Sequence, residues 1–238
     1  MTTSDDPLAN PALAAARRPD GALRLVLGAD GSATGRADIL DRDLRTTGAA
    51  DLADIARSMP CFTRGTLVAT ERGSKSVEDL RQGDRVVTRD NGIQPVVWSG
   101  AERFGWRELG ALPVLRPVLI RRGALGGDEP ARDLTVSPNH RMLLQAGGDE
   151  ALVPASALVG RPGIKVVEPT AVEYFQVLLP RHEVVLADGV WSESFRATDG
   201  AVGALSETNR VAVRAALLDV GQTGAPVPAR ALESAHRH

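Results

Sequence analysis

An all-β fold with tight turns is the class this sequence predicts, and three observations predict it. Between residues 61 and 195 the apolar residues fall in short runs rich in Val, Leu and Thr. None of those runs carries the 3.6-residue period of a long helix. The chain's 24 glycines and 15 prolines punctuate them, and Asn91-Gly92 stands between two of them as a hairpin signal, since both residue types tolerate positive φ.

Taken in order, residues 1–59 read as an N-terminal leader, partly disordered. They open on a Pro-, Ala- and Asp-rich stretch and hold a strand-like run at 22–28. The run Gly31-Ser32-Ala33-Thr34-Gly35 follows, then a possible helix from Ala49 to Met59. The strand candidates after Cys61 are 66–70, 85–88, 94–98, 118–120, 134–136, 142–144, 165–167, 175–179 and 183–186. A faint internal echo runs through them. Leu67-Val68, a turn, Val77 to Leu80, Gly83 and Val86-Val87 are matched by Met142 to Leu144, a turn at Gly147-Gly148, Leu152 to Leu158, Gly163 and Val166-Val167. Such an echo implies two similar β-units related by a pseudo-twofold. From Ser206 to Asp219 the apolar positions Val211, Val213, Ala216, Leu217 and Leu218 suit one short amphipathic helix, N-capped by Ser206 or Thr208 and stopped by Gly221. The end of the chain from Gly224 reads as a flexible tail. The division is therefore leader 1–59, β-domain 60–197, and helix with tail 198–238, the last free to pack back on the β-domain or to hang away from it.

Bulk properties exclude several functions. Net charge is −2 and the sequence pI is about 6.1, so no global field recruits nucleic acid or an anionic membrane. No run approaches the roughly 18 apolar residues that read as a transmembrane helix. The start, Met1 to Asp6, is acidic and lacks an apolar core, so no signal peptide is expected and a cytoplasmic setting is the default. Export independent of a signal peptide would leave no trace here. The chain has one cysteine, which excludes an internal disulfide. Phosphate-loop and dinucleotide fingerprints are absent, and the glycines around Gly123 to Gly127 read as a loop.

The residues that carry chemistry are Cys61, Ser137, His140 and His182. Cys61 stands where the leader meets the first β-run. There its sulfur can face the carbonyl of Pro60, and attack through a five-membered transition state would give a thioester. That step needs an acid for the departing nitrogen and a group to polarise the peptide bond. Ser137-Pro138-Asn139-His140 is a turn sequence that sets a hydroxyl and an imidazole close together. His182 lies on the strand-like stretch 178–186, as a second acid or base. Each has a plain structural alternative: a small buried thiol, a turn-forming serine, interior histidines. A papain-type arrangement is disfavoured, because its nucleophile heads a long helix and Cys61 precedes Gly65-Thr66 and a β-run. His236 and His238 make at most a weak metal pair.

These motifs resemble the Hint domain shared by hedgehog autoprocessing domains and inteins, most nearly the bacterial Hint-type domains. The likeness rests on Cys61-Phe62-Thr63-x-Gly65-Thr66-x-Val68, on Val77-x-Asp79-Leu80-x-x-Gly83-Asp84-x-Val86, and on Leu134-Thr135-Val136-Ser137-x-x-His140. It is completed by Tyr174 to Val177, His182 to Val185 and Ala187-Asp188-Gly189-Val190. The resemblance implies a horseshoe of two pseudo-twofold β-units. It also implies an N-to-S acyl shift at Cys61, aided by Ser137 and His140, with His182 near the resolving step. No cofactor is implied, and the spacers leave no room for an endonuclease insertion.

Three features depart from the family pattern. No terminal Asn follows Val190-Trp191-Ser192-Glu193, so full splicing is not expected. Pro60 precedes the nucleophile and should slow resolution of its thioester. Ser137 replaces a threonine and keeps the hydroxyl. The expected substrate is the chain's own polypeptide, with water or an external thiol as resolving nucleophile. The rivals are a non-catalytic β-rich binding or presentation module of the same fold and, last, a metal site built from Cys61, His140 and His182.

Overall fold

The computed structural model describes residues 9–18, 20–27, 35–57, 59–146, 149–221 and 228–229. The acidic start, most of the Gly31 to Gly35 run, the Gly147-Gly148 turn and the tail with His236 and His238 lie outside the described residues.

The described part of the expected leader holds regular structure. Helix α1 (Pro11–Arg17) is N-capped by Asn10, whose Oδ1 accepts from the amides of Ala12 and Leu13. Three antiparallel strands follow: β1 (Ala22–Leu27), β2 (Gly35–Leu40) and β3 (Thr46–Asp51). The helix expected over 49–59 is shorter, because Ala49 to Asp51 belong to β3 and α2 spans Leu52–Arg57. The Asp51 carboxylate accepts from the Ala53 amide at 2.7 Å, which ends the strand and opens the helix. Strand β2 (GRADIL) sets the charged Arg36 and Asp38 among apolar residues and β3 (TTGAAD) has no large apolar residue, so neither shows a clear apolar alternation in the sequence.

The β-domain then runs β4 (Phe62–Thr63), β5 (Leu67–Thr70), β6 (Gly73–Ser76), β7 (Arg85–Val87), β8 (Ile93–Pro95) and β9 (Trp98–Gly105). After α3 (Trp106–Ala111) come β10 (Val118–Ile120), β11 (Leu134–Val136), β12 (Arg141–Ala146), β13 (Asp149–Pro154), β14 (Ile164–Val166), β15 (Ala171–Leu178), β16 (Val184–Ala187) and β17 (Val190–Glu193). A six-stranded sheet has the order β14-β10-β11-β4-β15-β9, and the other sheet runs β13-β12-β17-β16-β5-β7-β8 with β6 beside β5. The fold is all-β with few short helices, as expected. The internal echo appears in the order of elements: β5, β6, a 3-10 turn at Val77–Asp79, Gly83 and β7 are repeated by β12, β13, a 3-10 turn at Ala155–Leu158, Gly163 and β14. Both glycines have positive φ, +90° and +82°, so each marks the same backbone reversal.

Two expectations about local structure change. The stretch 178–186 is not one strand: β15 ends at Leu178 and β16 begins at Val184, so His182 lies in the connector. At the β7–β8 hairpin Gly92 has φ +64° and Asn91 keeps a negative φ, because the loop spans 88–92 rather than two residues. Asp188-Gly189 forms the tighter hairpin, a two-residue connection between the Ala187–Val190 pair with φ of +47° and +80°.

The C-terminal part packs back on the β-domain. Helices α4 (Asp199–Gly203) and α5 (Glu207–Asp219) enclose a cluster of Val97, Trp98, Leu178, Phe195, Leu205 and Val213. Val211 and Leu218 point to solvent instead, and Arg210 takes an inner position by donating from Nη1 to the Leu205 carbonyl at 2.6 Å. Among the described residues no helix is long and apolar enough to cross a membrane.

A Cβ added at Gly189 would sit 2.8 Å from Ala131 Cβ and 3.3 Å from its backbone nitrogen, whereas one at Gly92 meets nothing within 4 Å. Both positions also carry the cost of positive φ, about 1 kcal/mol. Gly189→Ala should therefore lower unfolding stability by about 2 kcal/mol or more and Gly92→Ala by about 1 kcal/mol, read from urea midpoints. Equal losses would contradict the packing assigned to the Asp188-Gly189 turn.

Candidate active site

The two-residue strand β4 is held between β11 and β15, with Phe62 opposite Val136 on one side and Phe175 on the other. This brings two polar side chains onto the junction just before it. From the β11 side, Ser137 Oγ accepts from the Cys61 amide at 2.8 Å and donates to the Met59 carbonyl. The Ser137 amide also donates to the Cys61 carbonyl at 3.0 Å. From the β15 side, Gln176 Nε2 donates to Cys61 Sγ at 3.0 Å. The serine thus spans Pro60, gripping the nitrogen of the Pro60–Cys61 bond and the carbonyl before it.

Cys61 is 1% exposed. Burial pushes its thiol well above the usual range, and the Gln176 bond offsets that only in part. The resting group is therefore a neutral thiol.

His140 ends the predicted turn, its amide donating to the Ser137 carbonyl at 3.1 Å. The ring lies 4.3 Å from the Phe62 ring, centre to centre. Neither ring nitrogen has a hydrogen-bond partner among the described residues. Burial lowers its pKa to about 4, against the opposing pull of Glu193. At neutral pH it is an uncharged base with both nitrogens free.

His182 stands apart from the other three. Its Nδ1 accepts from the Ala229 amide at 3.0 Å, and its Nε2 faces Glu193 Oε2 at 3.4 Å, a distance long for a hydrogen bond. No described hydrogen bond joins it to Cys61, Ser137 or His140. Glu193 is the charge they share. Its Oε1 accepts from the Arg141 amide at 3.0 Å and lies 3.5 Å from Arg141 Nη1. Burial would raise this carboxyl, but His182 and the Arg141 guanidinium outweigh it and hold the group below its usual range.

So the structure brings Cys61 and Ser137 into direct contact, sets the His140 ring against that of Phe62, and leaves His182 beside Glu193 with no described hydrogen bond to the other three. Sequence reasoning missed Gln176 and Glu193. A signal for each was present: a Gln inside the apolar run 174–179, and a Glu close behind Val190-Trp191. Among the described residues no group of three or more His, Cys, Asp or Glu is placed to hold a metal ion, so Cys61, His140 and His182 do not converge as one.

The buried, neutral His140 makes stability depend on pH. Its folded pKa lies below the unfolded value near 6.5, so the unfolded chain binds the extra proton between those values. Stability is full above pH 6.5 and falls toward pH 4, by about 3 kcal/mol at most for this group. In His140→Gln, urea midpoints at pH 7.5 and 5 should lie closer together than in the wild type. An unchanged gap would show that His140 is not a buried neutral base.

The family model described as the Hint domain matches residues 60–199. Among solved structures, the chain is similar to a splice-inactive variant of the AceL NrdHF class 3 split intein, at 18% identity and a TM-score of 0.40, covering 58% of this chain and 99% of that one. It is similar to a bacterial intein-like domain from Clostridium thermocellum, at 13% identity and a TM-score of 0.40, with coverage of 58% and 99%. It is also similar to a DnaB intein from Synechocystis sp. PCC 6803, at 15% identity and a TM-score of 0.39, with coverage of 57% and 98%. No curated protein matches the chain.

Proposed function

The chain belongs to the Hint domain family, and on that premise we propose that it is an intein- and hedgehog-like autoprocessing domain that cleaves its own Pro60–Cys61 bond. One observation carries the reading: Ser137 Oγ holds the amide of Cys61 and the carbonyl of Met59 together, fixing the bond on which the Cys61 thiol would act.

The reaction proceeds in two steps. His140, neutral and with free nitrogens, takes the thiol proton of Cys61. Gln176 Nε2–H stabilises the sulfur as it becomes a thiolate. Sγ attacks the Pro60 carbonyl carbon, the C–N bond to Cys61 breaks, and the imidazolium returns the proton to the departing nitrogen. The products of that step are a thioester on Sγ and a free amino group on Cys61. In the second step water or a thiol attacks the thioester carbonyl, frees the thiol and releases the Pro60 acyl group. Glu193 acts on His140 through its charge, and His182 assists from beside Glu193. The absence of a terminal Asn after Glu193 leaves cleavage, and not splicing, as the outcome. The chain's own polypeptide is the substrate, and a reducing cytoplasmic setting keeps Cys61 free.

A second reading has its own support. Cys61 is buried and its thiol held neutral, and Pro60 is a poor acyl donor, as in a module that keeps the Hint fold without its reaction. Intact-protein mass spectrometry decides between the two. The purified chain, incubated with a thiol reductant, should yield a C-terminal fragment beginning at Cys61, and Cys61→Ala should yield none. Intact mass in every sample favours the silent module, and the same fragment from Cys61→Ala overturns the nucleophile.

A further inference from the structure

The N-terminal unit is packed onto the site rather than strung before it. Ala12, Leu13, Ala37, Leu52, Ile55 and Met59 share one continuous core with Cys61, Phe104, Leu109, Leu112, Leu115 and Tyr174. Polar contacts fix the same face. Arg17 Nη2 pairs with Glu102 Oε2 at 2.8 Å, and its guanidinium lies 5.1 Å from the centre of the Phe104 ring. The Asn10 amide donates to the Gly203 carbonyl at 2.9 Å. Glu102 is 4% exposed and also accepts from the Ser206 amide and Asn209 Nδ2, at 2.6 and 2.8 Å. One buried carboxylate on β9 thus ties the start of the chain and α5 to the same edge of the six-stranded sheet.

We propose that the face formed by β9, α3 and Tyr174 is a docking surface for α1, β2, α2 and Met59 of the same chain, and that this docked unit gates Cys61. With it seated, no reagent or resolving nucleophile reaches the sulfur. When it lifts, the thiol opens to water or an external thiol. Contacts of this kind do not depend on the Pro60–Cys61 bond, so the gate is a property of packing. The consequence for turnover rests on the cleavage reading, while the gate itself does not.

Because the chain has one cysteine, labelling by 5,5′-dithiobis(2-nitrobenzoate) reports on Cys61 alone. The folded full-length chain should label on the order of 10²-fold more slowly than the urea-unfolded chain, since reaction needs local opening. Arg17→Ala, which removes the ion pair at a half-buried position remote from the reacting atoms, should label about tenfold faster than wild type. Leu13→Ala should do likewise, Arg17→Lys should fall between, and Val211→Ala on exposed α5 should match wild type. Near-UV circular dichroism identifies the variants that keep the native fold. Wild-type labelling at the unfolded rate overturns the gate, as does a natively folded Arg17→Ala that labels at the wild-type rate. Slow, Arg17-dependent labelling with no cleavage in any variant sustains the gate and sinks the cleavage reading instead.

Discussion

The hydroxyl of Ser137 is where the structure's two demands meet. It lies 2.8 Å from the Cys61 amide and bonds the Met59 carbonyl, while the Ser137 amide reaches the Cys61 carbonyl. Pro60 has no amide hydrogen to offer, so the chain on either side of it must supply the bonds that fix its path. A buried backbone group left unpaired here would cost about 1–3 kcal/mol. The same side chain therefore satisfies the backbone at the entry to the β-domain and positions the peptide bond next to the only thiol. The proposed cleavage depends on that junction being held still.

What holds Ser137 in turn is sheet register. Strand β4 has two residues, too few to be placed by its own bonds. Its neighbours β11 and β15 fix it, and they deliver Ser137 and Gln176 to opposite sides of Cys61. Behind them, Glu193 gathers Arg141 and His182 into a buried polar group whose charge reaches His140 and Cys61. A buried charge set like this is costly unless its members satisfy one another. The long 3.4 Å approach of His182 and the His140 nitrogens, without hydrogen-bond partners among the described residues, show a group only partly satisfied.

Much of this was legible in the sequence. The strand runs after Cys61, the glycines at 83 and 163, the turn at Ser137 to His140 and the C-terminal helix all follow from periodicity and turn chemistry acting over a few residues. What escaped detection depends on distant packing. Strand β2 mixes Arg36 and Asp38 with apolar residues and β3 is mostly Thr, Gly and Ala, so their burial is decided by α1 and α2 lying over them and not by their own hydrophobicity. His182 looked like a strand residue because Leu178, Leu179, Val184 and Val185 flank it, yet Pro180 interrupts the ladder. Gln176 and Glu193 stand in apolar surroundings where sequence marks them as odd but cannot say which partner, 115 residues away for Gln176 and Cys61, makes them necessary.

The most direct test of the account is the rate of cleavage at Pro60–Cys61 in Ser137→Ala, measured beside Ser137→Thr by mass spectrometry of the full chain. The account predicts a loss on the order of 10²-fold in Ser137→Ala, the scale for removing one group that holds a reacting bond, with Ser137→Thr close to wild type because the hydroxyl remains. Equal rates in the two variants, or a bond that never breaks in any of them, would contradict it.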